Sequence, residues 1–122
     1  MKVLIVEDSK ATRELLATTV QTIGGVEVIC AVSGFEALKV LPRFQFALII
    51  TDINMPDING LELINFVKKN PHYRDTPLFV VTTEGRNQDR ERGLALGAAE
   101  YLIKPFEAEV LVALVKRYLK LG

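Results

Sequence analysis

Glu7 and Asp8 follow the apolar run Val3-Leu4-Ile5-Val6, and Asp52 follows Leu48-Ile49-Ile50-Thr51. Thr82 follows Leu78-Phe79-Val80-Val81, and Lys104 follows Tyr101-Leu102-Ile103. Brought to one place, these side chains amount to three carboxylates, a hydroxyl and an ammonium. Two carboxylates about 4 Å apart repel by roughly 4 kcal/mol at an effective dielectric near 20. Such a cluster either raises its pKa values or holds a cation. An oxygen-only donor set, with positions left for water and a phosphate oxygen, suits Mg²⁺. No Cys or His accompanies the pattern to favour zinc, since His72 falls in a loop. A carboxylate beside bound Mg²⁺ can act as a nucleophile toward phosphorus, giving an aspartyl phosphate. Lys104 would then hold the new phosphoryl oxygens and Thr82 would donate a hydrogen bond. Each residue type matches a need of phosphoryl transfer.

The elements that must position these groups are legible from the same runs. Unalternated apolar runs of about four residues suit strands buried on both faces, as in a parallel sheet covered by helices. In such sheets the ligand crevice lies beyond the carboxyl ends of the strands, so the site residues are expected to converge on one sheet edge. Helical periods fill the intervals. Leu15, Leu16 and Ile23, with Thr12 and Thr19, recur at three- and four-residue spacings until Gly24-Gly25 stops the helix. Residues 26–31 read as a further strand. Ser33-Gly34-Phe35-Glu36 has the form of a capping box and opens a short helix that Pro42 halts. The turn-rich segment 54–60 precedes a helix over 61–69 with Leu63, Phe66 and Val67 inward. Asn87 caps a charged helix over 88–96 that Gly97 closes. Phe106, Val110, Leu114 and Tyr118, with Leu111, Val115 and Leu119 beside them, mark an amphipathic last helix. Five strands alternating with five helices predict an α/β doubly wound parallel sheet in a single domain over 1–122.

Composition narrows the function. Fifteen basic residues balance fifteen acidic ones, so no global field would recruit nucleic acid or an anionic membrane. The apolar stretches fall far short of the roughly 20 residues that span a bilayer, and the first strand begins without a signal-peptide pattern. The one cysteine, Cys30, can form no internal disulfide, which fits a reducing cytoplasm. Within Val28-Ile29-Cys30-Ala31 it reads as a small apolar residue rather than a reactive thiol. A cytoplasmic protein with no direct nucleic-acid or membrane partner is expected.

Glu7-Asp8, Asp52, Thr82 and Lys104-Pro105, in this order and spacing, resemble the receiver domain of two-component response regulators. The segment Asp52-Ile53-Asn54-Met55-Pro56-Asp57-Ile58-Asn59-Gly60 resembles that family's phosphoacceptor loop. The resemblance covers essentially the whole chain. It implies a flavodoxin-like sheet of order 2-1-3-4-5, with Asp52 as the phosphoacceptor for a sensor histidine kinase. It also implies Mg²⁺ held by the side chains of Asp8 and Asp52 and the main-chain carbonyl of Asn54, with Glu7 acting mostly through water. Lys104 would contact the phosphoryl group. Thr82, preferred to Thr83 because it lies 22 residues before Lys104, would hydrogen-bond to that group, and Tyr101 would rotate inward behind it. That pair would bias a docking surface for a downstream target, made of the fourth helix, fifth strand and fifth helix. Pro105 would follow a cis peptide bond. Asn54 and Glu84, each two residues past a site residue, resemble the pairing of chemotaxis receivers with a short-lived phosphoryl group. On this reading the protein is not an enzyme. It is a phosphoacceptor that catalyses its own phosphoryl transfer and dephosphorylation.

Plainer and rival readings frame these expectations. Glu7-Asp8 alone would be a solvated pair favoured by a helix dipole, but Asp52 and Lys104 in register give it a partner set. Arg86, Arg90 and Arg92 suit either a solvated face or a partner-docking one. A haloacid-dehalogenase-type phosphatase would need a second Asp two residues after the nucleophile as general acid and base; that position is Asn54. A pseudo-receiver, an interaction module without phosphorylation, is the remaining alternative. Met1 and the Gly122 terminus lead to the expectation of a stand-alone receiver that acts by docking.

Overall fold

The computed structural model describes residues 1–83 and 85–121. Strands and helices alternate along the chain: β1 (Lys2–Val6), α1 (Lys10–Gln21), β2 (Glu27–Ala31), α2 (Gly34–Val40), β3 (Leu48–Thr51), α3 (Gly60–Lys69), β4 (Leu78–Thr82), α4 (Asn87–Leu96), β5 (Glu100–Ile103) and α5 (Ala108–Leu119). A 3₁₀ turn, Leu41–Arg43, follows α2 where Pro42 cannot continue it. The strands form one sheet of order β2-β1-β3-β4-β5, parallel throughout. The doubly wound sheet and strand order expected from the sequence are both present.

The unalternated apolar runs have a direct cause. In β1, Val3 and Ile5 face one helical layer while Leu4 and Val6 face the other, and all four are fully buried. The first layer packs Leu16 and Val20 of α1 and Leu111, Val115 and Leu119 of α5 against Ile50, Phe79 and Val81. The second packs Ala37 of α2 and Leu63, Ile64 and Val67 of α3 against Ile49, Leu78 and Val80. A sheet wet on one face would alternate apolar and polar residues; this one has no wet face.

The helices differ from expectation in rotation more than in position. Leu15 and Phe66 are exposed; in α1 the expected Leu16 and Thr19 are buried with Val20 beside them, and in α3 Ile64 joins the expected Leu63 and Val67. In each case the apolar arc is wider than the stripe that packs, and the sheet selects its centre. Phe66 lies at the margin, its ring centroid 6.4 Å from that of Tyr73. In α5 the Leu111-Val115-Leu119 line is buried, whereas Val110 is exposed. Asn87 is the first residue of α4, not its cap. Arg86 occupies the cap position without a side-chain cap bond and instead reaches Asp89, 3.1 Å away. Gly97 closes α4 with φ of +117°, as expected of a residue without a Cβ.

One close approach sets the start of α3. A Cβ at Gly60 would overlap the Asp52 carbonyl oxygen and lie 2.6 Å from Ile53 Cα. Gly60 N–H also donates to Ile53 O at 2.7 Å, so the loop that follows β3 is folded back onto its own beginning. Gly60→Ala is expected to destabilise the fold by about 3 kcal/mol, at the upper end of overpacking costs, because backbone must move to admit the methyl. Urea unfolding of the two proteins side by side measures it.

Candidate functional site

Parallel register delivers the site. Val6 pairs with both Ala31 and Thr51, and Thr51 pairs with Val80. Thr82, two residues on, pairs with Ile103. The strands therefore end along one edge, and the next residues of β1, β3 and β5 are Glu7, Asp52 and Lys104. Backbone bonds continue the ladder by one step: Glu7 N–H to Ala31 O (3.0 Å), Asp52 N–H to Val6 O (3.2 Å) and Lys104 N–H to Thr82 O (2.8 Å). The Lys104–Pro105 peptide is cis.

At the centre the Lys104 ammonium donates to Glu7 Oε1 at 2.7 Å and to Asp52 Oδ2 at 2.8 Å. Both carboxylates are nearly closed to solvent, Glu7 at 1% exposure and Asp52 at 7%. Asp52 Oδ1 accepts from the main-chain N–H of Ile53 (2.6 Å) and of Asn54 (3.1 Å), and the Thr82 hydroxyl also bonds the carboxylate. Glu7 Oε2 accepts from Ser9 N–H at 3.0 Å. No buried side-chain polar atom among the described residues lacks a partner.

These surroundings pull the two carboxyls apart. Burial pushes Asp52 up, but Lys104, Thr82 and the Asn54 N–H outweigh it and hold its pKa below the usual aspartate range. Burial dominates at Glu7, where Lys104 and Ser9 only partly offset it, so its pKa is raised. Burial alone would lower Lys104, yet its bonds to Asp52 and Glu7 raise it. Asp52 is thus an ionised, desolvated carboxylate at neutral pH, suited to act as a nucleophile. Glu7 is the carboxyl that resists ionisation.

The expected residues separate into two groups. The structure brings together Glu7, Asp52, Thr82 and Lys104. Asp8, the next residue after Glu7, is exposed, as is Asn54 on the loop after Asp52. Tyr101 is buried, its ring 3.5 Å from the place a Cβ would take at Gly93 of α4, so it already faces inward. Glu84 lies outside the described residues. Among the described residues no three acidic, histidine or cysteine side chains are gathered to hold a metal by themselves. The donors at hand are hard oxygens: the exposed Asp8 carboxylate, Asp52 and the main-chain carbonyls of its loop. That set fits Mg²⁺ once water completes the shell.

Two participants were not foreseen. The Arg13 guanidinium, one turn into α1, donates to Glu7 O (3.0 Å) and Asp8 O (3.3 Å), fixing the backbone from which both carboxylates hang. Asp57 ties the loop after Asp52 to the start of α2. A cavity of about 390 Å³ opens beside Lys104, lined by Thr12, Leu15, Thr83, Pro105 and Phe106. The larger one, about 490 Å³, is formed by Leu41, Phe46 and Tyr73 near the amino-terminal ends of β3 and β4 and takes no part in this site.

Linkage gives the pH behaviour. The contribution of Asp52, whose pKa is depressed, is present above about pH 4 and lost as pH falls through its folded value. That of Lys104 is present below about pH 10 and lost as pH rises through its raised value. Glu7, raised, counts against folding as pH rises from its unfolded value through its folded one, and the penalty is complete above the latter. Lys104→Met leaves both carboxylates buried without a counter-charge. It is expected to lower stability by on the order of 3 kcal/mol near neutral pH and by clearly less near pH 5, where both can take a proton. Urea unfolding at the two pH values tests this; equal losses would contradict the assigned role of Lys104.

Comparison with known proteins converges on one group. The response regulator receiver domain family model matches residues 3–116. The chain is 38% identical over 112 residues to a chemotaxis protein CheY homolog of Campylobacter jejuni, covering 91% of this chain and 86% of that protein. It is 40% identical over 117 residues to the response regulator protein FleR of Pseudomonas aeruginosa, covering 96% of this chain but 24% of that longer protein. The solved structure of the chemotaxis response regulator CheY4 of Vibrio cholerae superposes with a TM-score of 0.87 at 38% identity, covering 96% of this chain and 97% of that one.

Proposed function

Because the chain belongs to the response regulator receiver domain family, we propose that it is a phosphorylation-dependent switch of two-component signalling that accepts a phosphoryl group on Asp52. The observation that carries this reading is the Lys104 ammonium shared between Glu7 and Asp52 at 2.7 and 2.8 Å. It sits where charge would accumulate on phosphoryl oxygens, at the rim of a largely desolvated site.

An Asp52 carboxylate oxygen attacks phosphorus while the bond from phosphorus to the donor breaks, and the bonding pair leaves with the donor, a histidine nitrogen of a sensor kinase. Lys104 stays within reach of the transferred oxygens, and Thr82 exchanges its bond to Asp52 for one to the phosphoryl group. The Ile53 and Asn54 N–H groups hold the carboxylate in one orientation, which is the positioning that phosphoryl transfer mainly needs. Mg²⁺, held by Asp8, Asp52 and the Asn54 carbonyl with Glu7 behind water, would neutralise charge on the phosphoryl oxygens. Asp8 is the solvent-facing carboxylate of the set, so it is the one through which the ion can arrive hydrated.

Thr82 and Tyr101 connect the site to the surface. Thr82 bonds Asp52 at the end of β4, and Tyr101 on β5 packs against Gly93 of α4. A shift of Thr82 toward a phosphoryl group would alter the space behind it and so the α4–β5–α5 face offered to a downstream target. Asn54 and Glu84 would keep the phosphoryl lifetime short. Location in the cytoplasm is part of the same reading, and no helix among the described residues is long and apolar enough to cross a membrane.

Incubation with Mg²⁺ and acetyl phosphate should add one phosphoryl group by intact mass. Chelation and Asp52→Ala should each abolish it. A folded native chain that stays unmodified and leaves Mg²⁺ unbound would favour the interaction-module alternative. A phosphoryl group persisting for many hours in Mg²⁺ would remove the role given to Asn54 and Glu84.

A further inference from the structure

The loop that carries Asp52 and Asn54 is held from outside by a carboxylate three residues further on. Asp57 Oδ1 accepts from Gly34 N–H (3.1 Å) and from its neighbour Ile58 N–H (2.7 Å), and Oδ2 accepts from Phe35 N–H (2.9 Å). One side chain thus collects two donors from the first residues of α2 and one from its own loop. The contact is reinforced by shape. A Cβ at Gly34 would lie 2.6 Å from Ile58 Cβ, so the two segments approach as closely as a missing side chain allows. The three N–H donors, Phe35 foremost, hold the Asp57 carboxyl at a pKa of about 2, so it stays an ionised acceptor throughout the physiological range.

What the clamp restrains is the path of residues 52–60. Its near end is fixed by Asp52 accepting from Ile53 and Asn54. Its far end is fixed by Gly60 N–H to Ile53 O at 2.7 Å and by Asn59 Oδ1 accepting from Leu61 N–H at 2.8 Å. Between these, Met55 packs against the core and Ile58 against Gly34, Pro56 and Asp57 are exposed, and Asp57 joins the loop to α2. That helix follows directly on β2, whose last residue, Ala31, accepts from Glu7 N–H. The tie therefore closes a ring of backbone around the acidic mouth: β1 end, β2 end, α2, loop, β3 end.

We propose that Asp57 is a positioning residue for the cation and phosphoryl site, holding the Asp52–Gly60 loop against the start of α2 so that the Asn54 carbonyl and the Asp52 carboxylate keep one arrangement. The inference rests on the function proposed above. Asp57 touches no reacting atom; it acts through the backbone it restrains.

The test is a Mg²⁺ titration followed by backbone amide NMR, read at Ile53, Asn54 and Gly34, on the native chain, Asp57→Ala, Asp57→Asn and Gly34→Ala. Asp57→Ala is expected to weaken Mg²⁺ about tenfold, the low end of what losing an outer partner costs a metal site. It should also move the Ile53 and Asn54 amide resonances before any metal is added. Asp57→Asn keeps one acceptor oxygen and should recover much of the affinity. Gly34→Ala attacks the same contact from the α2 side and should reproduce the weakened binding if Asp57→Ala proves too unstable to titrate. Val20→Ala, a core truncation remote from the loop, is the control: it should lower the melting temperature and leave Mg²⁺ affinity unchanged. Native-like affinity in folded Asp57→Ala, or in Gly34→Ala, overturns the positioning role. So does a loss that Val20→Ala reproduces at equal melting temperature. Failure of the native chain itself to bind Mg²⁺ would overturn the proposed function and this inference with it, and is distinguishable because the native titration comes first.

Discussion

Two desolvated carboxylates share one ammonium, and most of the structure can be understood as what is required to make that tolerable. At 2.7–2.8 Å, each contact is worth roughly 6 kcal/mol at an effective dielectric of 20. Removing such ions from water costs several kcal/mol apiece. The balance is near even, and the cluster is not there for stability. The split response shows it: Asp52 is held ionised while Glu7 is pushed toward its neutral form. Had stability been the object, an apolar trio would serve as well. With Asp8 beside them the mouth carries more negative charge than Lys104 can neutralise, which is the electrostatic ground for expecting a divalent cation.

Holding such a cluster requires a backbone that does not yield, and parallel register supplies it. Four residues from four chain segments meet because the strand ends at which they lie are paired to one another, not because of any local sequence preference. Both sheet faces are buried, so a one-residue slip in any strand would move its whole apolar set to the wrong layer. The hydrophobic pattern thus fixes the site geometry indirectly. Gly60 extends the same logic into the loop, where the absence of a Cβ lets α3 start against the Asp52 carbonyl.

The parts of the site that could be read in advance were those carried by such patterns. Glu7, Asp52, Thr82 and Lys104 each end an apolar run, and their convergence follows from the rule that crevices lie beyond strand carboxyl ends. Helix rotation was legible only to within the width of an apolar arc: Leu15 and Phe66 are as apolar as Leu16 and Ile64, and only packing against the sheet distinguishes them. Asn87 looked like a cap because its side chain can cap, but the chain turns one residue earlier, where Arg86 finds Asp89. Asp57 and Arg13 were invisible for a different reason. Their partners are main-chain groups, which every residue has, and in the case of Asp57 they lie 22 and 23 residues away. No spacing rule marks a carboxylate that bonds to amides so far away along the chain.

The resting site is fully satisfied, and this bears on how a switch could work. Asp52 already takes Lys104, Thr82 and two main-chain donors. A phosphoryl group added to one of its oxygens would bring three more acceptors and further negative charge to a site whose donors, apart from the third N–H of Lys104, are engaged among the described residues. The main-chain N–H groups cannot follow it, being fixed by the loop. Lys104 is tied at its backbone to Thr82 O, though its side chain can swing from Glu7. Thr82 is the remaining donor whose movement leaves a space, and Tyr101 and the bare Gly93 stand on the α4 side of that region of the sheet. Such a coupling would need no wire across the protein. It would follow from adding acceptors to a site whose donors are nearly all committed, and from α4 burying little besides Gly93 on that side, which leaves it little to lose by shifting.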